Sequence, residues 1–169
     1  MSDLHKHTVI CIDDEEHNNQ ALERLLRKQF HVITTVNPAE ALTLIEEHKP
    51  ALIISDQRMP SMTGVELLKK SMDVSPESIR ILLTGYTDLE SVIAAINDGQ
   101  IYRYITKPWD PQELLLNLQK AIETFDLKNE VKRKNMALQS LDQLKNNFML
   151  MVSHELRTPL AGMISFTDL

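Results

Sequence analysis

Apolar and polar positions follow two different patterns along the chain, and up to about Asp126 a short apolar run is followed five times by a helical pattern. The apolar runs are rich in Val, Ile and Leu, as β-strands are. The segments between them place apolar residues three and four positions apart, as amphipathic helices do. The five strand-like runs are HTVICID, HVITTV, ALIISD, SIRILLTG and IYRYITK. This pattern predicts five successive βα units.

Five βα units of this length predict a parallel sheet with helices on both faces, because right-handed crossovers lay each helix back on the sheet. Three of the runs, Val9–Ile12, Leu52–Ile54 and Ile81–Leu83, are apolar without alternation, which is typical of strands buried on both faces. Asn37-Pro38 and Asp110-Pro111 fit helix starts, where a capping side chain precedes Pro at the first helical position. The predicted fold class is α/β, with a five-stranded doubly wound parallel sheet.

The second pattern begins in the last helix and continues without a break, since residues 112–158 contain no Gly and no Pro. Six apolar residues recur there at spacings of seven, three and four: Val131, Leu138, Leu141, Leu144, Phe148 and Met151. Such a stripe on an otherwise polar helix is typical of a coiled-coil seam, so we expect a long α-helix that forms a homodimeric coiled coil. Lys134 would occupy a seam position, where a polar residue costs stability but can fix the register. A single amphipathic helix packed back on the preceding domain remains the alternative.

Composition limits the environment of the protein more than its chemistry. Of the 169 residues, 43% are hydrophobic and 25% are charged, as in ordinary soluble globular proteins. The formal net charge of −6 argues against nucleic acid as a partner. The single cysteine, Cys11, favours a reducing compartment, and no apolar stretch fits a signal peptide or a membrane span. We therefore expect a cytoplasmic protein with no nucleic-acid partner and no membrane partner.

Charged and hydroxyl side chains stand at the ends of four of the five predicted strands. Asp13 and Asp14 follow the first strand, Asp56 ends the third, Thr84 ends the fourth and Lys107 ends the fifth. The carboxyl ends of parallel strands form the ligand-binding edge of an open α/β sheet. Converging carboxylates repel one another, and a Mg²⁺ ion relieves that repulsion. Taken singly, each residue also fits a cap, a loop or the surface, but together they predict a phosphoryl-transfer site in which one carboxylate is the nucleophile.

The same residues carry a resemblance to a known family. The acidic pair Asp13-Asp14, SDQRMP with Asp56, LLTG with Thr84 and YITKP with Lys107 resemble the receiver domain of two-component response regulators. The resemblance covers roughly residues 6 to 126, and the family's fold is a flavodoxin-like doubly wound sheet. A receiver domain is therefore expected over residues 1–126.

The resemblance also implies a role for each residue of the site. Asp56 is the expected phosphoacceptor and, with Asp13, Asp14 and the carbonyl of Arg58, a ligand of Mg²⁺. Asp14 would bind the ion directly and Asp13 largely through water. Lys107 would pair with the phosphoryl group and precede a cis Pro108. Thr84 and Tyr104 match the family's switch pair, in which the hydroxyl moves toward the phosphate and the ring follows.

A second resemblance covers about residues 145 to 169. FMLMVSHELRTPL resembles the phosphoacceptor box of the histidine kinase dimerisation helix, with His154 as the phosphoacceptor. The residues that match Glu155 and Thr158 serve phosphotransfer and phosphatase activity in that family. Residues 127–147 would then be a signalling coiled coil, and residues 148–169 the incomplete start of the dimerisation domain. The family's ATP-binding domain is not represented, so we expect a piece of a hybrid histidine kinase that cannot autophosphorylate alone and meets ATP only through that domain.

These resemblances predict a two-component phosphorelay in which phosphorylation of Asp56 regulates, through the shared helix, a kinase whose phosphoacceptor is His154. A straight helix from Phe125 to His154 would span about 44 Å at ~1.5 Å per residue, which favours regulation over direct transfer between His154 and Asp56. The expected partners are a second copy, an upstream histidine kinase or other phosphodonor, and a downstream receiver protein. The main alternative is a response regulator whose output is a coiled-coil interaction module. A magnesium-dependent phosphatase is disfavoured, because it would need an acid at the position of Arg58.

Overall fold

The computed structural model describes residues 7–98 and 100–167, without the side chains of Tyr86 and of residues 158–167. Strands and helices alternate, as the sequence pattern predicts. The strands are β1 (Thr8–Ile12), β2 (His31–Thr35), β3 (Leu52–Asp56), β4 (Ile79–Thr84) and β5 (Arg103–Thr106). The helices are α1 (Glu16–Leu26), α2 (Pro38–His48), α3 (Gly64–Val74), α4 (Leu89–Asn97) and α5 (Pro111–Thr167). A short 3-10 turn, Tyr86–Asp88, precedes α4.

The five strands form one parallel sheet in the order β2-β1-β3-β4-β5. The chain leaves β1 toward β2 on one side and returns to β3 on the other. The carboxyl ends of β1 and β3 therefore flank the point at which the strand order reverses, which is where open α/β sheets bind ligands. The doubly wound, flavodoxin-like fold class is confirmed.

The core lies on both faces of the sheet. On one face, α1 and α5 contribute apolar side chains such as Leu26 and Leu118. On the other face, α2, α3 and α4 contribute side chains such as Ile45, Leu67 and Val92. Because β1, β3 and β4 are covered from both sides, their residues are buried almost without exception, which explains why these runs are uniformly apolar.

Local capping fixes where the helices begin. The Asn37 side chain accepts a hydrogen bond from the Ala39 N–H, and the Asp110 carboxylate accepts one from the Glu113 N–H, so both predicted caps are present. A reciprocal capping box of Thr63 and Glu66 starts α3. The sequence EEHNNQALERLLRKQF after β1 has a helical pattern that continues to Phe30, but α1 is shorter than this pattern indicates. It ends at Leu26, and the backbone then turns so that Phe30 is buried in the core.

The chain divides into two compact units, Met1–Leu127 and Lys128–Leu169. In the described part of the second unit, large apolar side chains are exposed along the helix, among them Val131, Leu138, Leu141, Leu144, Phe148 and Met151. Lys134, predicted at a seam position, forms an ion pair with Glu130 one turn earlier, at 3.1 Å. Among the described residues, no helix is long and apolar enough to cross a membrane.

Candidate functional site

Three carboxylates meet at the carboxyl edge of the sheet, as predicted. Asp56 is the last residue of β3, and Asp13 and Asp14 directly follow β1. Each of them offers a carboxylate oxygen that lies within 4.8 Å of the others. Asp13 and Asp56 are 1% and 8% exposed, whereas Asp14 is exposed. Hard carboxylate oxygens at this separation, with one ligand still open to water, fit a divalent cation such as Mg²⁺.

Lys107 completes the charge cluster from the end of β5. Its Nζ lies 2.6 Å from Asp56 Oδ1 and 3.4 Å from Asp13 Oδ2. The Lys107 N–H donates to the Thr84 carbonyl, which continues the β4–β5 pairing by one residue beyond the strand. The Lys107–Pro108 peptide bond is cis, as expected. The lysine is thereby held over the two buried acids.

Burial and the neighbouring charges shift the pKa values of Asp56 and Lys107 in opposite directions. Burial raises the pKa of Asp56, while the hydrogen bond and charge of Lys107 limit the rise and the neighbouring Asp13 adds to it. Burial alone would lower the pKa of Lys107, but the hydrogen bonds and charges of Asp56 and Asp13 offset this and leave it raised. The lysine is therefore a permanent cation, and it compensates only part of the negative charge around it.

Residues that the sequence interpretation missed hold the acids in place. The buried Asn19 amide donates to the carbonyls of Asp13 and Thr35, and the Glu15 N–H donates to Asp13 Oδ1. The Ser55 hydroxyl donates to the Asp56 carbonyl. The sequence signal for Asn19 is weak: it is a polar residue on the buried face of α1.

Gly64, the first residue of α3, lies against the backbone of Asp56. A β-carbon here would overlap the Asp56 carbonyl oxygen and approach Leu82 Cδ1 to 2.6 Å. Only glycine lets α3 begin so close to the end of β3. Gly85 differs, because a β-carbon there would meet nothing within 4 Å.

The predicted switch residues lie on the two neighbouring strands β4 and β5. Thr84 is buried, and its hydroxyl donates to the Gly85 carbonyl at 3.2 Å rather than to a carboxylate. Tyr104 pairs with Leu82 in the β4–β5 register, and it is 36% exposed. The hydroxyl and the ring are thus on adjacent strands without a hydrogen bond between them in the described structure.

The predicted ligand residue Arg58 lies in the loop after β3, and its side chain makes contacts that the sequence interpretation did not foresee. The guanidinium donates to the Asp88 carboxylate and the Thr87 hydroxyl, both in the loop after β4. These two loops enclose a cleft of about 200 Å³ lined by Asp56, Gln57, Arg58, Gly85, Thr87, Asp88 and Lys107. The cleft opens directly on the predicted phosphoacceptor.

The second predicted phosphoacceptor group belongs to the helical second unit. His154 and Glu155 are exposed on α5. The side chain of Thr158 lies outside the described residues. The structure therefore assembles the predicted aspartate site around Asp56, while the roles of His154, Glu155 and Thr158 stay predictions.

Comparison with known proteins decides the family. The model of the response regulator receiver domain matches residues 9–119. This chain belongs to the response regulator receiver family. The receiver domain of a protein with an HD domain from Pseudomonas fluorescens Pf-5 superposes with a TM-score of 0.69 at 37% identity, covering 75% of this chain and 93% of that one. Family members take part in two-component signalling, receive phosphate from donor kinases and generally bind Mg²⁺ at the phosphorylation site.

Several curated relatives are longer proteins. The hydrogenase transcriptional regulatory protein HoxA of Cupriavidus necator is 40% identical over 133 residues, which are 79% of this chain and 28% of HoxA. The regulatory protein AtoC of Escherichia coli is 30% identical over 131 residues, 77% of this chain and 28% of AtoC. The chain thus spans about a quarter of these relatives. They are response regulators rather than kinases, so the histidine kinase prediction is unconfirmed, and the expected absence of a nucleic-acid partner stays a prediction.

Proposed function

We propose that this receiver is a phosphorylation switch in which Asp56 accepts the phosphoryl group. The observation that carries the proposal is the 2.6 Å contact between Lys107 Nζ and Asp56 Oδ1 inside a cluster of three carboxylates. A fixed cation beside a buried nucleophile can neutralise the charge of transferring oxygens. A purely structural lysine would not need two neighbouring acids that repel each other.

In the proposed reaction, a carboxylate oxygen of Asp56 attacks the phosphorus of the donor. A new oxygen–phosphorus bond forms, and the bond to the donor's leaving group breaks with its electron pair. Lys107 stabilises the negative oxygens, and the cleft between the loops after β3 and β4 receives them. A Mg²⁺ ion held by Asp14 directly, by Asp13 largely through water, by Asp56 and by the Arg58 carbonyl would supply further charge neutralisation.

Thr84 and Tyr104 are the proposed route from the site to the surface. The phosphoryl group carries a charge of about −1.5 to −2 and would draw the Thr84 hydroxyl away from the Gly85 carbonyl. Tyr104 lies on the neighbouring strand β5, and its side chain is partly exposed. It would then move into the space that the threonine leaves. This repacks the surface formed by α4, β5 and α5.

We further propose that the helical unit passes this change to a histidine kinase output. Its exposed apolar stripe from Val131 to Met151 supports a homodimeric coiled coil, because isolated exposed Leu and Phe side chains at these spacings gain from a second copy. His154 would be the phosphoacceptor of that kinase, with Glu155 assisting transfer and Thr158 assisting dephosphorylation. The enzyme is then the longer protein and not the receiver alone.

The names of the relatives favour a second candidate output. HoxA and its relatives are transcriptional regulators, so the same receiver would control an output other than a kinase. The two candidate functions predict different labelling of His154. When a kinase ATP-binding domain is supplied in trans with ATP, the kinase proposal expects label on His154 that is lost in His154→Ala, whereas the second candidate expects no label there.

Labelling of Asp56 tests the primary proposal. With acetyl phosphate and Mg²⁺, we expect the intact protein to gain the mass of one phosphoryl group, and Asp56→Asn to gain none. The matched control is Asp73→Asn, which removes an exposed acid of α3 and should label like the wild type. Label that persists in Asp56→Asn, or fails to form in the wild type, contradicts the proposal.

Crosslinking of single cysteines placed along residues 131–148 tests the transmission. We expect crosslinks between copies at seam positions, and a changed pattern when beryllofluoride, a phosphoryl mimic, is added with Mg²⁺. Identical patterns with and without the mimic would contradict transmission through the helix. Absence of crosslinks at every position would contradict the dimer.

A further inference from the structure

One arginine joins the two loops that flank the phosphoacceptor. Arg58 Nε lies 2.9 Å from Asp88 Oδ2, and its Nη2 lies 3.3 Å from Asp88 Oδ1. The same Nη2 donates to Thr87 Oγ1 at 2.9 Å. The guanidinium therefore grips Asp88 with two nitrogens, the fork geometry in which arginine binds a carboxylate or a phosphate.

This bridge lies at the mouth of the site. Arg58 and Asp88 line the cleft that contains Asp56 and Lys107, and both also line a neighbouring cleft that contains Asp14. The side chain of Arg58 is 72% exposed, whereas that of Asp88 is 21% exposed. The arginine is thus the more accessible partner of the pair, and the acid is the more enclosed one.

The charges around the cleft favour an exchange of partners. Among the described residues around the site, four acids, Asp13, Asp14, Asp56 and Asp88, face two cations, Lys107 and Arg58, so the protein groups alone are net negative. A Mg²⁺ ion bound there would bring the total close to neutral, and a phosphoryl group would make it negative again. A phosphoryl group on Asp56 adds a charge of about −1.5 to −2 and three strong acceptor oxygens. An exposed ion pair such as Arg58–Asp88 is weak, so a doubly charged acceptor in the same cleft can compete for the guanidinium.

We propose that Asp88 holds Arg58 in reserve, and that phosphorylation of Asp56 transfers the Arg58 guanidinium from Asp88 to the phosphoryl oxygens. Arg58 is then a positioning and charge-neutralising residue for the phosphorylated state, and Asp88 sets the ease with which that state forms. This inference rests on the proposed phosphorylation of Asp56. It also predicts that phosphorylation detaches the loop after β4 from the loop after β3.

Binding of beryllofluoride at saturating Mg²⁺ and low salt tests the exchange, because the mimic forms a phosphoryl-like group without a chemical step. Trp109, the single tryptophan, lines a cleft with Asp13 and Lys107, so its fluorescence provides the binding signal. Asp88→Asn should release Arg58 and strengthen binding about two- to five-fold, the size of one exposed ion pair. Glu90→Gln removes an exposed acid two residues later and is the matched control, for which we expect no change.

The double variant separates partner exchange from simple charge removal. In the Arg58→Ala background, the exchange proposal expects Asp88→Asn to bring a smaller gain or none. Simple repulsion by Asp88 expects a larger gain there, since the acid has lost its neutralising arginine. A gain that is equal or larger without Arg58, or no gain from Asp88→Asn alone, overturns the proposal. A wild-type protein without any Mg²⁺-dependent response to beryllofluoride would instead overturn the proposed phosphorylation, and this inference with it.

Discussion

The receiver unit and the helical unit use similar proportions of leucine and other apolar residues for opposite purposes. In the receiver, Ile54 on one face of the sheet and Leu82 on the other are at most 1% exposed and pack within the core. In the described part of the helical unit, Leu144 is 65% exposed and Leu141 is 61% exposed. The first unit contains the partners of its buried apolar residues, whereas the described part of the second unit exposes most of its apolar residues to solvent.

This difference separates what each kind of pattern can establish. A uniform apolar strand within a βα repeat specifies its own burial, because the helices that cover it follow in the same chain. A heptad-like stripe specifies only that a partner is needed. The receiver fold was therefore predictable from the sequence to a degree that the assembly state of the helix was not.

The largest expected contrast between the two units is in thiol reactivity. Burial, with a smaller contribution from Glu23, raises the pKa of the Cys11 thiol to about 12. At pH 8 the reactive thiolate should therefore be about a thousandfold rarer than for an ordinary exposed cysteine. Native protein should resist iodoacetamide at Cys11, while Gln139→Cys on the exposed helix should react at the ordinary rate, as mass spectrometry of timed samples would show.

A third thiol sharpens this contrast. In Leu141→Cys the new thiol lies on the proposed seam, and Gln139→Cys lies beside it off the seam. A dimer should slow the alkylation of Leu141→Cys relative to Gln139→Cys, and dilution should remove the difference. Equal rates at all protein concentrations would speak against a seam, and fast alkylation of native Cys11 would speak against the buried sheet.

Truncation of one leucine in each unit should have unequal cost. Leu82→Ala removes a fully buried side chain of β4 and should lower the free energy of unfolding by about 2–5 kcal/mol at any protein concentration. Leu144→Ala removes an exposed side chain and should leave the unfolding of the receiver unchanged. Urea titrations followed by Trp109 fluorescence would measure both, and equal losses would contradict the division into two units.

Within the receiver, the two glycines near the site offer the smallest and most local contrast. Gly64→Ala forces a β-carbon onto the Asp56 carbonyl and should cost about 1–3 kcal/mol of folding free energy, because the strand or α3 must shift. Gly85→Ala meets open space at an ordinary φ of −81° and should be tolerated. Thermal unfolding of both variants would measure this difference. A loss of stability in Gly85→Ala but not in Gly64→Ala would refute the close approach of Gly64 to the Asp56 carbonyl.

The strands, the helix caps and the acid cluster could be predicted because they follow from local patterns and from the general geometry of a parallel sheet. Asn37 and Asp110 cap helices through neighbouring N–H groups, and Asp13 and Asp56 meet because parallel strands share one carboxyl edge. The end of α1 could not be placed this way. Phe30 fits the helical period, but the core draws it inward after the helix has ended.

The parts of the site that escaped prediction depend on contacts between distant segments. Asn19 reads as an ordinary polar residue of a helix until the fold brings it to the Thr35 carbonyl at the end of β2. Asp88 reads as a residue near a helix start until Arg58, 30 positions earlier, is found bound to it. Neither contact has a local sequence signal, because each joins two segments that only the folded sheet brings together.

The position of β5 as an edge strand affects how easily its residues can move. The central strands are hydrogen-bonded on both sides, whereas β5 is bonded only to β4. A shift of the segment with Tyr104 and Lys107 therefore disturbs the backbone hydrogen bonds to β4 alone, and the other strand pairs keep their hydrogen bonds. The proposed switch residue Tyr104 thus lies on one of the two edge strands, where a displacement that starts at the acid cluster would leave the central strands in place.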